Sequence, residues 1–352
     1  MKKITAFLFI SCMLLQQAIA CTTFFINKDG EFVFGRNYDW ITGAGMVCTN
    51  LKGLYKTSLS KEQTIDWISK YGSITFNQYG KEFPTGGMNE KGLVVELMWL
   101  NGSVYPAADK RPALNLLQWI QYQLDNNATV EEIIKTDKKI RIAIDNPPCH
   151  FLVADVFGNA ATIEFINGKL VVHTGKDLRF PVLTNNTYKE SVRAADSVAV
   201  TKGSDFAFED YSLQRFATAC TMVNDFQQSK INKPVITYAF DILKKVEAPR
   251  YTKWSIVYDM KNLKVYFKTD SHPDIKSFSF SAFDLTCSSA AMAVNMNQKG
   301  KADISASFKP FTSDLNRSII EKAASESRAL VQVSKEEKES LISYTKTVQC
   351  KN

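Results

Sequence analysis

The stretch Cys21-Thr22-Thr23-Phe24-Phe25-Ile26-Asn27-Lys28-Asp29-Gly30-Glu31-Phe32-Val33-Phe34-Gly35-Arg36-Asn37-Tyr38-Asp39 decides the reading of this 352-residue chain. Two apolar-rich segments, residues 22–26 and 31–35, flank Asp29-Gly30, a dipeptide suited to a two-residue hairpin because both positions tolerate positive φ. With that turn, antiparallel pairing sets Cys21 opposite Tyr38 and Thr23 opposite Arg36, and brings Asp39 beside Cys21. A thiol, a guanidinium and a carboxylate thus gather at one end of a hairpin, whereas a slip of one residue exchanges the faces.

Upstream, Lys2 and Lys3 precede an apolar run from Ile4 to Leu15, and the segment closes on Ala18-Ile19-Ala20, a small-x-small export cleavage signal. The run is shorter than the ~18 apolar residues that argue a bilayer span, so no stable membrane span is expected. Residues 1–20 read as a removable signal peptide and 21–352 as a single domain. Cleavage after Ala20 makes Cys21 the first residue, and two readings follow. Cys21 is an N-terminal nucleophile whose own α-amine is its base, or it is the lipidated cysteine of an envelope lipoprotein. Ala18 stands where a lipoprotein signal usually carries Leu, and a strand follows Cys21 where a lipoprotein has a polar tether.

Composition is that of an ordinary globular chain, 45% hydrophobic, 12% aromatic and 22% charged. The formal charge of +7 is dispersed, with no long block of like charges, so a nucleic-acid partner is not expected. His150, His173 and His272 do not stand at metal-ligand spacing, and no metal site is expected. Of seven cysteines, Cys12 lies in the leader and Cys21 has its own role. Cys48, Cys149, Cys220, Cys287 and Cys350 remain, an odd and irregularly spaced set that suggests mostly buried thiols, not a disulfide framework.

Further along, Gly92 to Trp99 is a continuous apolar strand apart from Glu96, a pattern of burial on both faces. Pro112 is expected to open a helix through Leu124, and Thr129-Val130-Glu131-Glu132 is a capping box for another. Phe151–Val156, Ala161–Ile166 and Lys169–Thr174 read as an antiparallel meander, Leu213–Phe226 and Val235–Lys245 as helices, and Trp254–Asp259 with Lys264–Thr269 as a last hairpin. Residues 313–348 are polar and helix-prone. Without internal repeats, sheets between helical layers are the simplest architecture.

An N-terminal cysteine carries a thiol of pKa near 8.5 and an amine near 7.7–8.0, so the amine can take the thiol proton without any histidine. A cation would favour the thiolate, a carboxylate would orient the amine, and a neutral donor must face the developing oxyanion. In order, Cys21-Thr22-Thr23, Gly35-Arg36-Asn37-Tyr38-Asp39, Gly87-Met88-Asn89-Glu90-Lys91-Gly92-Leu93, Leu183-Thr184-Asn185 and Arg215-Phe216 resemble the motifs of the choloylglycine hydrolase family. That family comprises bile salt hydrolases and penicillin V acylases, N-terminal-nucleophile enzymes. The resemblance implies an α+β fold, a four-layer αββα sandwich of antiparallel sheets, and an amidase acting on a linear amide without a cofactor. Its substrate would be a small-molecule N-acyl amide.

Carried over by motif, Cys21 is the nucleophile, Arg36 contacts the sulfur, Asp39 holds the amine, Asn185 donates to the oxyanion and Arg215 completes the charged network. Taken singly, Arg36 and Asp39 read as an ion pair ending a hairpin, Asn185 as a turn residue and Arg215 as a solvated helix residue. Trp99 departs from the pattern, standing where the bile salt hydrolases carry Asn and the penicillin V acylases Tyr. It is expected to wall the acyl pocket, with its backbone N–H left for the oxyanion. The stretch from Asn185 to Arg215 is shorter than in the Gram-positive enzymes, which use an excursion there to assemble tetramers. A homo-oligomer remains open, but a tetramer is not implied. The pattern resembles the Gram-negative branch and implies a periplasmic destination. The alternatives are an envelope lipoprotein and an inactive family member that binds acyl amides without turnover.

Overall fold

In the computed structural model, residues 21–201 and 210–351 are described, and the expected signal peptide at 1–20, with Cys12, lies outside them. Thr22–Lys28 and Glu31–Asp39 form the first hairpin in the anticipated register, Thr23 facing Arg36 and Lys28 facing Glu31. Its turn works because Asp29 and Gly30 both adopt positive φ, 53° and 77°, the backbone hand that matches strand twist.

That hairpin lies inside a seven-stranded sheet, between the short edge strand Val182–Leu183 and Thr252–Asp259. Lys264–Thr269, Lys276–Ser279 and Ala302–Asp303 continue the sheet. A nine-stranded sheet faces it and includes Ser73–Asn77, Pro84–Asn89, Val94–Trp99, Cys149–Ala154 and Ala160–Ile166. Helices Tyr211–Gln227 and Val235–Lys245 cover the first sheet, and Leu116–Asn126 and Val130–Thr136 cover the second, giving the αββα order. Rings meet between the sheets, with Phe76 5.7 Å from Phe267 and 6.1 Å from Tyr258, both edge-on. A second apolar core, with Trp119, Ile120 and Phe151, lies under Leu116–Asn126.

One helix begins later than its sequence suggests. Ala113–Leu114 is drawn into a parallel pairing with Arg141–Ile142, so the helix starts at Leu116 and runs to Asn126. Asn115 caps it by accepting the Leu117 N–H at 2.9 Å. The Thr129–Glu132 capping box forms as anticipated. Residues 313–348 hold two helices, Ser313–Glu326 and Lys335–Tyr344, followed by a short strand, Gln349–Cys350, on Leu54–Thr57. Cys287 and Cys350 are disulfide-bonded, while Cys48, Cys149 and Cys220 are buried free thiols.

Candidate active site

Cys21 immediately precedes the first strand and is buried. Its thiol points to the Asp39 main-chain carbonyl, Sγ to O 3.8 Å. Burial raises the thiol pKa, and the Asp39 charge adds to the rise. Arg36, the Asp39 carbonyl and Arg215 oppose it. Burial pushes Cys48 up to about 12 and Cys220 well above the usual thiol range, opposed by Lys81 at the first and by Arg179 at the second. Among the free cysteines, Cys21 has two guanidiniums working toward its thiolate.

Arg36 points inward, between the sheets. Its Nη1 donates to Thr85 O at 2.8 Å and pairs with Glu96, both side chains being wholly buried. Glu96 also accepts from the Tyr258 hydroxyl. This carboxylate is a component that the sequence motifs do not name. Its signal was its position as the one charged residue in an otherwise apolar strand. Arg36 therefore acts on Cys21 as a neighbouring cation whose Nη1 is taken by Thr85 and Glu96, while its buried Nε and Nη2 meet no well-aligned acceptor.

Arg215 lies in the first turns of Tyr211–Gln227, a helix capped by Asp210 accepting the Ser212 N–H at 2.8 Å. Its Nη1 donates to the Cys21 carbonyl at 2.7 Å and to the Thr22 hydroxyl, and its Nη2 donates to Asn185 Oδ1 at 3.0 Å. Asp39 Oδ2 lies 4.0 Å from Nη1. The Tyr211 ring sits under the guanidinium, 5.3 Å to its centroid, and Tyr211 Oη donates to Glu247 O at 2.7 Å. Asp39 is wholly buried and neither carboxylate oxygen meets a well-aligned donor. Burial pushes its carboxyl up to about 7, against the pull of Arg215, the Thr252 hydroxyl and Arg36.

A guanidinium has only donors, so its bond to Oδ1 fixes which way the Asn185 amide faces. Nδ2 then donates to the Trp99 carbonyl at 2.8 Å, which leaves its second hydrogen for a further acceptor. The Asn185 main-chain N–H is held by Ser212 Oγ at 2.9 Å. Leu100 N bonds Pro148 O at 3.0 Å, and antiparallel alternation turns the Trp99 N–H and C=O away from Cys149–Ala154. They lie beyond the last pair with the adjoining strand, Gly86 with Glu96, on the side from which Asn185 approaches. The half-buried Trp99 ring stands 6.2 Å from the Trp40 ring, and Trp40 follows Asp39 directly. The two indoles make an apolar wall beside this end of the sandwich.

All six residues singled out from sequence thus gather at one end of the two sheets, joined by Thr22, Trp40, Glu96 and Tyr211. Among the described residues, no group of three or more His, Cys, Asp or Glu side chains is disposed to hold a metal.

A family model for linear amide C–N hydrolases of the choloylglycine hydrolase family matches residues 21–293. A penicillin V acylase of Pectobacterium atrosepticum is 26% identical over 83% of this chain and 91% of its own length. The structure of a penicillin V acylase from Agrobacterium tumefaciens superposes with a TM-score of 0.71 at 26% identity, covering 83% of this chain and 98% of that one. A mutant conjugated bile acid hydrolase from Clostridium perfringens shares the fold, with a TM-score of 0.65 at 17% identity, over 81% of this chain and 98% of that chain.

Proposed function

This chain belongs to the choloylglycine hydrolase family of linear amide C–N hydrolases, and from that premise we propose that it is an exported, periplasmic N-terminal cysteine amidase of the penicillin V acylase kind. Removal of residues 1–20 frees the Cys21 α-amine, which takes the thiol proton. The sulfur attacks the acyl carbonyl carbon, forming a C–S bond, and the carbonyl oxygen becomes an oxyanion facing Asn185 Nδ2 and the Trp99 N–H. The C–N bond then breaks as the proton passes from the ammonium to the leaving nitrogen. Water gives a proton to the freed amine and its oxygen to the acyl carbon, and cleavage of the C–S bond returns the thiol.

One observation carries this reading: Arg215 grips the Cys21 carbonyl and the Asn185 amide oxygen at once, so nucleophile and oxyanion donor share one rigid support. Membership of a family of linear amide hydrolases favours turnover over ligand binding alone. Thr22 and Thr23 are wholly buried in the sheet, which favours the nucleophile over a lipid anchor needing an exposed tether. The Cys287–Cys350 disulfide supports export to an oxidising compartment. The substrates proposed are N-acyl amides, penicillin V and bile salt conjugates among them.

The test is release of 6-aminopenicillanic acid, glycine or taurine from these amides by protein whose first residue is verified by mass. Turnover by the intact enzyme and its loss in Cys21→Ser is the expected result. Full turnover in Cys21→Ser, or an N-terminal diacylglyceryl cysteine, overturns the proposal.

A further inference from the structure

The mechanism needs no histidine, yet His150 is wholly buried two bonded neighbours from the oxyanion donor. Its Nε2 lies 2.7 Å from the carbonyl oxygen of Thr184, the residue before Asn185. A carbonyl only accepts, so Nε2 carries a hydrogen. On the other side of the ring, Nδ1 lies 3.1 Å from Glu164 Oε1. Glu164 is also buried, and the same oxygen accepts the Tyr188 N–H at 2.9 Å, at the start of helix Tyr188–Thr201. Its second oxygen is 3.6 Å from His173 Nδ1, which also meets the Thr162 hydroxyl at 3.0 Å.

From this arrangement we infer that His150, held by Glu164, is a positioning residue for the Asn185 oxyanion donor, an inference that rests on the proposed amidase mechanism. Asn185 is then held from three directions. Arg215 takes its side-chain oxygen, Ser212 its N–H, and His150 the carbonyl that precedes it. Glu164 supplies the asymmetry. With a carboxylate at Nδ1, a hydrogen lies between Nδ1 and Oε1, and the other remains on Nε2 facing Thr184. Replacing Glu164 by an apolar side chain leaves Nδ1 and the Tyr188 N–H without their acceptor, so the ring is no longer held square to the Thr184 carbonyl. One oxygen serves both Nδ1 and the Tyr188 N–H, so glutamine at 164 cannot donate to the first and accept from the second, and it breaks the same support.

Because the oxyanion exists only along the reaction, such positioning acts on kcat more than on KM. Misplacing a donor by about 1 Å is worth up to about 10²-fold. His150→Phe and Glu164→Leu are therefore expected to lower kcat on an N-acyl amide by about 10–100-fold with KM changed less than about threefold. Glu164→Gln loses turnover in the same direction as Glu164→Leu. Alkylation of Cys21 by iodoacetamide develops no oxyanion and stays within about twofold of the unaltered rate in all three. Turnover that survives His150→Phe, or alkylation that falls in step with turnover, overturns the inference.

A substrate-free readout separates its failure from that of the amidase reading. The Asn185 side-chain amide resonances should shift in His150→Phe, Glu164→Leu and Glu164→Gln. Unmoved resonances in all three refute the positioning role even if the enzyme is an amidase. Absence of turnover in the unaltered protein, with the resonances moving as expected, refutes the amidase and leaves the positioning intact.

Discussion

Replacing Arg215 separates what it does for the fold from what it does for the reaction. In Arg215→Met the stem remains, but donors to the Cys21 carbonyl, the Thr22 hydroxyl and Asn185 Oδ1 vanish. Asp39, 4.0 Å away, also loses its cation. At an effective dielectric of about 20, that attraction alone is about 4 kcal/mol, partly offset by the burial cost of the guanidinium. Leaving one member of a buried pair alone costs about 3–5 kcal/mol, and the stability loss in urea approaches that figure only near about pH 8 and above, where Asp39 carries its charge. The released Asn185 amide no longer presents Nδ2, and the loss of one oxyanion donor costs about 10²–10³-fold in turnover. Arg215→Lys restores a charge near Asp39 but not a planar fork that spans two acceptors. It should recover much of the stability and leave single-turnover acylation at least about tenfold down.

The pH dependence fixes the sign. Asp39 has a folded pKa of about 7, above its ordinary value of 3.8. Its contribution to stability is fully present below the unfolded value and is lost as pH rises through the folded one. Removing Arg215 raises the folded value further, so the deficit of Arg215→Met is smallest near about pH 5 and grows toward about pH 8. Urea midpoints across that range are the assay. A deficit independent of pH, or an Arg215→Lys enzyme with unaltered turnover, refutes the reasoning.

Other perturbations test other parts of the structure. A methyl group on Gly86 would land on the Glu96 carboxylate, so Gly86→Ala should drive Glu96 off Arg36 and cost about 3 kcal/mol or more by urea unfolding; a loss below about 1 kcal/mol contradicts that pairing. The Cys287–Cys350 bond joins residues 63 apart, for which chain entropy sets a ceiling of about 4 kcal/mol. Cys287→Ser paired with Cys350→Ser should lower the melting midpoint, and a midpoint indifferent to the pair tells against that account. Trp99→Ala removes one of two facing indoles and should raise KM for aromatic acyl amides about tenfold, with iodoacetamide labelling of Cys21 unchanged. An unchanged acyl preference would remove Trp99 from the pocket wall.

What could be read in the sequence was local. Asp29-Gly30 sets a hairpin by backbone chirality alone, so its register followed from counting, and Val235–Lys245 and Lys264–Thr269 carry clear apolar patterns. Met46–Asn50 and Ser73–Asn77 escaped notice because every residue in them is buried and their polar side chains face polar partners. Asn50 Nδ2 donates to Thr75 Oγ1 at 2.8 Å and Gln121 Nε2 to Ser73 Oγ at 3.3 Å, so polarity there does not mark solvent. Pro112 suggested a helix start that tertiary pairing of Ala113–Leu114 displaced. In the site, Cys21, Arg36 and Asp39 share one hairpin and were visible together. Glu96 and His150 act across strands far apart in sequence, a juxtaposition that no spacing encodes.

Asn185 follows the edge strand of one sheet, and the Trp99 carbonyl ends a strand of the other, so their 2.8 Å bond bridges the sandwich at its open end. Arg36 to the Thr85 carbonyl at 2.8 Å and Tyr38 to Gln78 at 2.7 Å cross the same gap, as does Thr23 Oγ1 to Met98 Sδ at 3.4 Å. Apolar packing alone is non-directional and opposes sliding weakly. These bonds act as dowels: a slip of about 3.3 Å, one residue along a strand, would shear all four and carry the Trp99 half of the proposed oxyanion site away from Cys21. Alignment of the reacting atoms is thus a mechanical property of the whole sandwich, and any variant that loosens one sheet on the other will be felt at the thiol before the molecule unfolds.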